Sequence, residues 1–418
     1  MTETDLPKGW SMVRLGSVAS VQTGLAKGKQ GLKDSLTLPY LRVANVQDGF
    51  LDLADIKEIQ VERTEVERYR LQEGDVLLTE GGDNDKLGRG DVWQGQIPMC
   101  LHQNHIFAVR TQREVLDPHF LSALAGSSYG KLYFRRCSKQ STNLATINST
   151  QLKEFPVILP PKHEQSVIVR CLRTWGEAST LIERRIAAEQ QLRLGLMQQL
   201  LTGQVRFPEF AQHPWIETRI GDVLQNVTRL VPLEDDQLYR QAIVRRWSAG
   251  IEYRESLYGH QIKGKALQQI REGDFLISNI QAAYGAMSKV GKDSEGAWIS
   301  NIYTILVPRH DRSVDIDYFN FLSQTPMMRH LVIASCNGFK AERIRLGFVV
   351  PTFLKQQISI PARYEEQRRI AEVLAACDRE LDLLARKRDA LQRQKRGLMQ
   401  QLLTGRVRVK GLDHGDAK

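Results

Sequence analysis

The chain has 418 residues, 42% hydrophobic and 25% charged, with a formal charge of +10 and a pI near 9.3. That length predicts two or three domains rather than one core, and the basic balance favours a polyanionic partner. The absence of an 18-residue apolar run, and of an apolar stretch behind Met1, argues against a membrane span or signal peptide, and five scattered cysteines without a C-x-x-C pair predict reduced thiols in a cytoplasm.

The first block, residues 1–160, opens on Trp10-Ser-Met-Val-Arg-Leu15-Gly16-Ser-Val18. Strands are predicted over Tyr40–Val46, Val76–Thr79 and His105–Val109, the second fed by a Glu73-Gly-Asp turn. A short helix is predicted over Ser122–Tyr133 after Pro118, and Thr150–Leu159 forms a last apolar run before Pro160-Pro161. Residues 161–206 then predict one long helix. Ile168, Leu172, Trp175, Ile182, Ile186, Leu196 and Leu200 keep a four-three alternation, broken at Ser179, Glu189 and Arg193. Glu164 stands in the first turn and Gly203 where a left-handed cap belongs.

The second block, residues 207–361, opens on Trp215-Ile-Glu-Thr-Arg-Ile220-Gly221-Asp-Val223 and repeats the turn as Glu272-Gly-Asp. Strands are predicted over Ala242–Val244, Phe275–Ile277 and Ile302–Leu306, and a helix over Tyr318–Ile333. Residues 362–409 predict the second long helix, with Ile370, Leu374, Cys377, Leu381, Leu384, Leu391, Leu398 and Leu402 on its seam and a short tail, 410–418, beyond it.

The two helices are written in the same words. Gly195-Leu-Met-Gln-Gln-Leu-Leu-Thr-Gly203 returns letter for letter as Gly397–Gly405, Val205-Arg206 as Val407-Arg408, and Glu164-Gln165 as Glu366-Gln367, all displaced by 202 positions. So long a period means two copies of a whole module. An apolar repeat held over about five heptads is the mark of helices that supercoil on a partner, and matched copies favour pairing with each other. The second block leaves one helix and enters the next, so close domain ends require the helices to run antiparallel. The expected fold is α+β: two similar small mixed domains separated by two long antiparallel coiled-coil helices, a pseudo-twofold dumbbell. The junction Leu201–Gln204 is the expected place where helix length could be added.

A search for catalytic chemistry finds little. Gly81-Gly82-Asp-Asn-Asp-Lys86 lacks phosphate-loop spacing, and no dinucleotide fingerprint or Asn/Asp-Pro-Pro-aromatic tetrapeptide occurs. Asp55-Ile-Lys57 has no partnered acid, and His102 with His105 stands at a strand entrance without a nearby thiol or acid pair, so neither a catalytic nor a metal site is expected. Polar and cationic loop residues suit base and phosphate contacts instead. In the first block these are Asp83, Asn84, Lys86, Arg89, His102, Gln103, Asn104, Arg135, Arg136, Lys139, Gln140, Ser141, Thr142 and Asn143. In the second they are Arg245 and Arg246 beside Trp247, then Tyr253, Arg254, Asn279, Gln281, Tyr284, Asn337, Lys340, Arg343 and Arg345.

The layout resembles the specificity subunits of type I restriction–modification systems. Leu159-Pro-Pro-Lys-His-Glu-Gln165, Met197-Gln-Gln-Leu-Leu-Thr-Gly203 with its second copy, the two Trp openings and the Gly-Asp turns carry the likeness across nearly the whole chain. The second hinge departs from the pattern, reading Pro361-Ala-Arg-Tyr-Glu365-Glu-Gln367 with a single proline. The resemblance implies two target-recognition domains, each reading one half of a split, asymmetric double-stranded DNA site. It implies helices that space those domains and dock two methyltransferase subunits, with restriction/translocase subunits joining the larger complex. It implies no catalysis in this chain, with S-adenosylmethionine and ATP on the partner subunits. The competing reading is a coiled-coil adaptor for two protein ligands without DNA, which would more readily show apolar patches than basic loops on its heads.

Overall fold

The computed structural model describes residues 6–27, 31–32, 34–82, 87–140, 145–264, 266–337 and 347–409. It divides into two compact units. Unit 1 is Met1–Glu183 with Arg386–Lys418, and unit 2 is Arg184–Ala385, so each boundary falls inside a long helix.

Unit 1 is built on a four-stranded antiparallel sheet in the order Ala19–Thr23, Ile106–Thr111, Val76–Thr79, Gly90–Val92. Side chains alternate across a strand, and here the alternation separates two cores. Val76, Leu78, Phe107 and Val109 face Phe120, Leu121, Leu124, Phe134 and Phe155, while Leu77, Ile106 and Ala108 face Leu41, Val46 and Trp93. Helices Pro118–Gly126 and Ser128–Cys137 cover the first face. The sequence predicts one helix here. Ser127 divides it, because its Oγ accepts from Gly130 N at 3.3 Å and donates to the Leu124 carbonyl at 2.6 Å, capping the second helix. The predicted strand at Tyr40–Val46 is also displaced: the strand is Ser35–Leu41, and Val43–Asn45 is a 3-10 turn. The first and last strands, Ser11–Arg14 and Pro156–Leu159, pair antiparallel and deliver the chain to the long helix Lys162–Leu200.

Unit 2 repeats the plan. Its sheet runs Leu224–Val227, Tyr303–Pro308, Phe275–Ser278, Met287–Lys289. Phe275, Ile277 and Leu306 face Tyr318 and Phe319 on one side, and Leu276 and Ile305 face Ala242, Val244 and Ile299 on the other. The helix predicted over Tyr318–Ile333 is two, Ile316–Leu322 and Pro326–Ala334, split where Thr325 caps Met328 N at 3.2 Å and Pro326 takes the first helical position. Trp215–Arg219 pairs with Gln357–Pro361 and leads to the second long helix, Tyr364–Leu402.

Within unit 1 the start of the first long helix (Ile168, Leu172) shares a core with the end of the second (Leu402, Leu403). Within unit 2 the end of the first (Met197, Leu200) meets the start of the second (Ile370, Leu374). Both pairings are antiparallel. Ile168, Leu172, Ile182, Leu200, Ile370, Leu374, Leu384 and Leu402 are buried, and Trp175, Ile186, Leu196, Leu381, Leu391 and Leu398 are half-buried. The leucines off that seam, Leu181, Leu192, Leu194 and Leu383, are exposed. Arg193, a break in the seam, is held by Asp378 of the other helix and by Gln324 Oε1 at 3.1 Å. A polar residue paired in this way fixes register. No helix among the described residues is long and apolar enough to cross a membrane.

Candidate DNA interface

The repeated Glu-Gln pair anchors each long helix to the sheet domain beside it. Gln165 Nε2 donates to the carbonyls of Val115 and Pro160, both at 2.9 Å, and its Oε1 accepts from Asp117 N at 2.8 Å. Asp117 in turn caps the first sheet-covering helix through His119 N and Phe120 N. Gln367 does the same in unit 2, accepting from Asp315 N at 2.9 Å and donating to the Pro361 carbonyl at 2.9 Å, while Asp315 caps Tyr318 N. The neighbouring carboxylates take the arginines that follow each helix: Arg408 bonds Glu164 in unit 1, and Arg206 bonds Glu366 in unit 2. Glu164 also accepts from Trp10 Nε1 at 3.1 Å, whereas the equivalent Trp215 Nε1 is buried without a partner. The second anchor thus keeps the Gln bonds to Asp315 N and the Pro361 carbonyl but lacks counterparts of the Gln165–Val115 and Trp10–Glu164 bonds.

Each unit also carries a small set of short strands tied to its sheet. In unit 1, Lys139–Gln140 pairs with Ala145–Thr146, which pairs with Gly81–Gly82 in the register Ala145↔Gly82. Gln140, Ala145 and Gly82 therefore stand at one end of this small sheet. Ile147 N donates to the Glu80 carbonyl at 2.9 Å and locks the hairpin to the sheet strand. Unit 2 has the same device. Cys336–Asn337 pairs with Gly347–Phe348, and Phe348 N donates to the Asn279 carbonyl at 2.9 Å. Asp83, Asn84, Lys86, Ser141, Thr142, Asn143, Lys340, Arg343 and Arg345 lie outside the described residues, as do the side chains of Lys139 and Gln140. Their flanks are nonetheless brought together.

Gly88, at φ +61°, closes the unit 1 loop onto the core: a Cβ there would stand 2.4 Å from the Phe134 ring. Arg89 beside it is half-buried, with Nη1 3.1 Å from Gln47 Oε1. Arg135 and Arg136 lie exposed in the last turn of their helix. Gln103 and Asn104 are half-buried on a turn bonded to Leu41 and Leu25.

His102 is a correction. It is 1% exposed, its Nδ1 lies 3.0 Å from the Tyr69 carbonyl, and burial pushes its pKa down. It belongs to the core and cannot reach a base edge. His105, exposed, pairs with Glu80 at 2.6 Å and not with His102. Among the described residues no group of His, Cys, Asp and Glu is placed to hold a metal.

In unit 2, Arg254 and Asn337 are exposed, and Gln281 is half-buried. Arg245 is exposed but pairs with Glu252. Arg246 lies over the half-buried Tyr284 ring, 5.1 Å from its centroid. Two others are committed internally: Asn279 Oδ1 accepts from Thr304 Oγ1 at 2.7 Å, and Tyr253 Oη donates to the Asp293 carbonyl or Ser294 Oγ.

Residues 7–190 match the type I restriction modification DNA specificity domain. A putative type I restriction enzyme MjaX specificity subunit of Methanocaldococcus jannaschii is 22% identical over 97% of this chain and 95% of its own length. The two halves of this chain therefore align with both halves of that protein. Over nearly its whole length the chain is similar to specificity subunits of type I restriction enzymes. The specificity subunit of the Escherichia coli type I restriction enzyme EcoKI is 27% identical, over 35% of this chain and 32% of its own. In fold, this chain is similar to a chain of a type I restriction–modification assembly, with a TM-score of 0.61 at 18% identity covering 96% of this chain and 99% of that one. It is also similar to the HsdS subunit of Thermoanaerobacter tengcongensis, with a TM-score of 0.53 at 19% identity covering 96% and 98%.

Proposed function

We propose that this chain is a specificity subunit that reads a bipartite double-stranded DNA site, each sheet domain taking one half. One observation carries the reading: both units keep the same framework, while the polar sequences joining their equivalent hairpin strands, 141–144 and 338–346, differ. A shared scaffold with rewritten loops is what two separately varied readers require. The proposed domains are 1–160 and 207–361, with 161–206 and 362–409 as spacers. At 39 residues and about 1.5 Å per residue, each helix is roughly 58 Å long, enough to hold two readers about one DNA turn apart.

The chain supplies specificity and its partners supply chemistry: two methyltransferase subunits that bind S-adenosylmethionine, and restriction/translocase subunits that use ATP, acting in the cytoplasm. The adaptor alternative loses support because exposed Arg135, Arg136 and Asn337 stand in or beside the hairpin strands. Exchange of residues 1–160 for those of another specificity subunit, followed by methylome sequencing, tests the assignment. One half of the methylated site should change and the other stay. Alteration of both halves would overturn the independence of the two readers.

A further inference from the structure

Trp247 presents a largely exposed indole on a backbone that is costly to hold. Its side chain is 64% exposed, and both Trp247 and Ser248 adopt left-handed backbone, at φ +60° and +53°. Two consecutive non-glycine residues in that region cost of order 1 kcal/mol each and persist only where their surroundings enforce them. Here Trp247 N donates to the Tyr284 carbonyl and Ser248 N to the Gly285 carbonyl, both at 2.8 Å. The indole meets Tyr284 edge-on, with centroids 6.3 Å apart at 75°, and the Arg329 guanidinium lies 4.9 Å from the indole centroid. Arg246 covers Tyr284, so guanidinium groups flank the aromatic pair.

The platform adjoins the unit 2 reading end, because Gln281 N and Tyr284 N cap the turn that follows Asn279, the residue bonded to the hairpin at Phe348. An exposed ring ringed by cations suits a flat, polyanionic ligand better than an apolar protein surface.

We propose that Trp247 stacks into the DNA half-site read by unit 2, entering an opened base step as an aromatic wedge. This rests on the DNA-reading function above. The left-handed backbone holds the ring out before binding, so no ordering is needed when it inserts. Arg329 and Arg246 would neutralise the phosphates that flank the opened step. No base edge is read, so the specificity conferred is for easily unstacked steps.

The test uses the assembled complex with its methyltransferase subunits and a duplex carrying 2-aminopurine at successive positions of the second half-site. Wild-type complex should change the probe's fluorescence at one step. Trp247→Phe should retain the change. Trp247→Gly should abolish it and weaken binding by about 10-fold or more, while thermal stability stays level or rises because glycine suits this backbone. A fluorescence change that survives Trp247→Gly, or none at any position, overturns the wedge. If Trp247→Gly instead releases the methyltransferase subunits without DNA present, the ring is a protein contact and the wedge is rejected. Failure of the wild-type complex to bind its site selectively would instead strike the reading on which the wedge rests.

Discussion

Arg206, six residues beyond the first long helix, sets Nε and Nη2 on the two oxygens of Glu366 at 2.9 and 2.7 Å, joining residues 160 positions apart. Glu366 is 1% exposed, and Arg206 also donates to the carbonyls of Phe210 and His213 at 2.7 and 2.6 Å. The helix that leaves the second domain is thereby tied to the helix that enters it. Bidentate pairing satisfies both charges at once.

Removing one partner leaves the other buried and uncompensated. Arg206→Met should therefore destabilise the chain by about 3 kcal/mol in urea unfolding followed by circular dichroism. Arg206→Met with Glu366→Leu should recover most of that loss, since a buried pair replaced by apolar groups is often neutral. A single variant as stable as the parent would show the pair to be dispensable.

This pair was open to discovery from the sequence. Val205-Arg206 and Glu366 recur as Val407-Arg408 and Glu164, so two opposite charges are duplicated at matching places. The long helices were legible because their apolar seam is periodic and repeated. Element breaks were less so, since Ser127 and Thr325 act through caps that look like ordinary polar positions inside a helical pattern. His102 was misread because a polar residue at a strand entrance gives no sign that Tyr69 and the core enclose it. Trp247 stood beside two arginines in the sequence, but nothing in the letters announces left-handed backbone at a tryptophan.

Phosphate contacts should separate from structural arginines in salt titrations. Arg135 and Arg136 are exposed, whereas Arg110 is committed to the buried Asp75 through two bonds of 2.8 Å. Alanine at Arg135 or Arg136 should flatten the dependence of log affinity on log salt by about one unit each, across all DNA sequences. Arg110→Ala should leave the slope unchanged and lower stability instead. An unaltered slope for both exposed arginines would remove them from the interface.

Acid should weaken unit 1 through His102. Its pKa is pushed down chiefly by burial, with Arg110 acting in the same direction and Asp75 against it. Nδ1–H donates to the Tyr69 carbonyl, and the Gln22 backbone also favours the proton, but burial outweighs both, so charging the ring in the core costs free energy. The unfolded chain binds the proton more readily than the folded one. Stability is thus fully present above the unfolded value near 6.5, and falls as pH drops from there toward the folded value, by up to about 1.4 kcal/mol per unit. Urea unfolding at pH 7.5 and 5.5 should show this fall, reduced in His102→Asn, which keeps a donor for Tyr69 but does not titrate. Asp91, whose pKa burial raises, contributes with the opposite sign in both proteins and cancels in the comparison. Equal pH dependence in parent and variant would exclude His102 as its source.

The long helices are proposed to set the gap between the two half-sites. Sequence alone suggested adding length at Leu201–Gln204, but that junction is packed. Leu201 is 3% exposed in the unit 2 core, Thr202 Oγ1 donates to the Gln198 carbonyl at 2.6 Å, and Gly203 holds φ +70° against the Trp215 ring. Four residues inserted there would pull Leu201 from the core and should cost stability rather than lengthen the spacer. The better places are after Glu183 and after Ala385, where the helices pass between the units and carry no cap. Four residues added to both helices extend each by about 6 Å and turn it by about 40° beyond a full turn. One base pair adds about 3.4 Å and roughly 35° of twist. A four-residue insertion departs from the heptad by only about half a residue and is absorbed as a local unwinding of the supercoil. Rotation matches one added base pair more closely than rise does, and side chains tolerate a small axial mismatch better than a misdirected reading surface. The doubly lengthened subunit should therefore methylate the same two half-sites with the gap increased by one base pair, as read by methylome sequencing. An active complex with an unchanged gap would mean that the helices tie the domains together without setting their spacing.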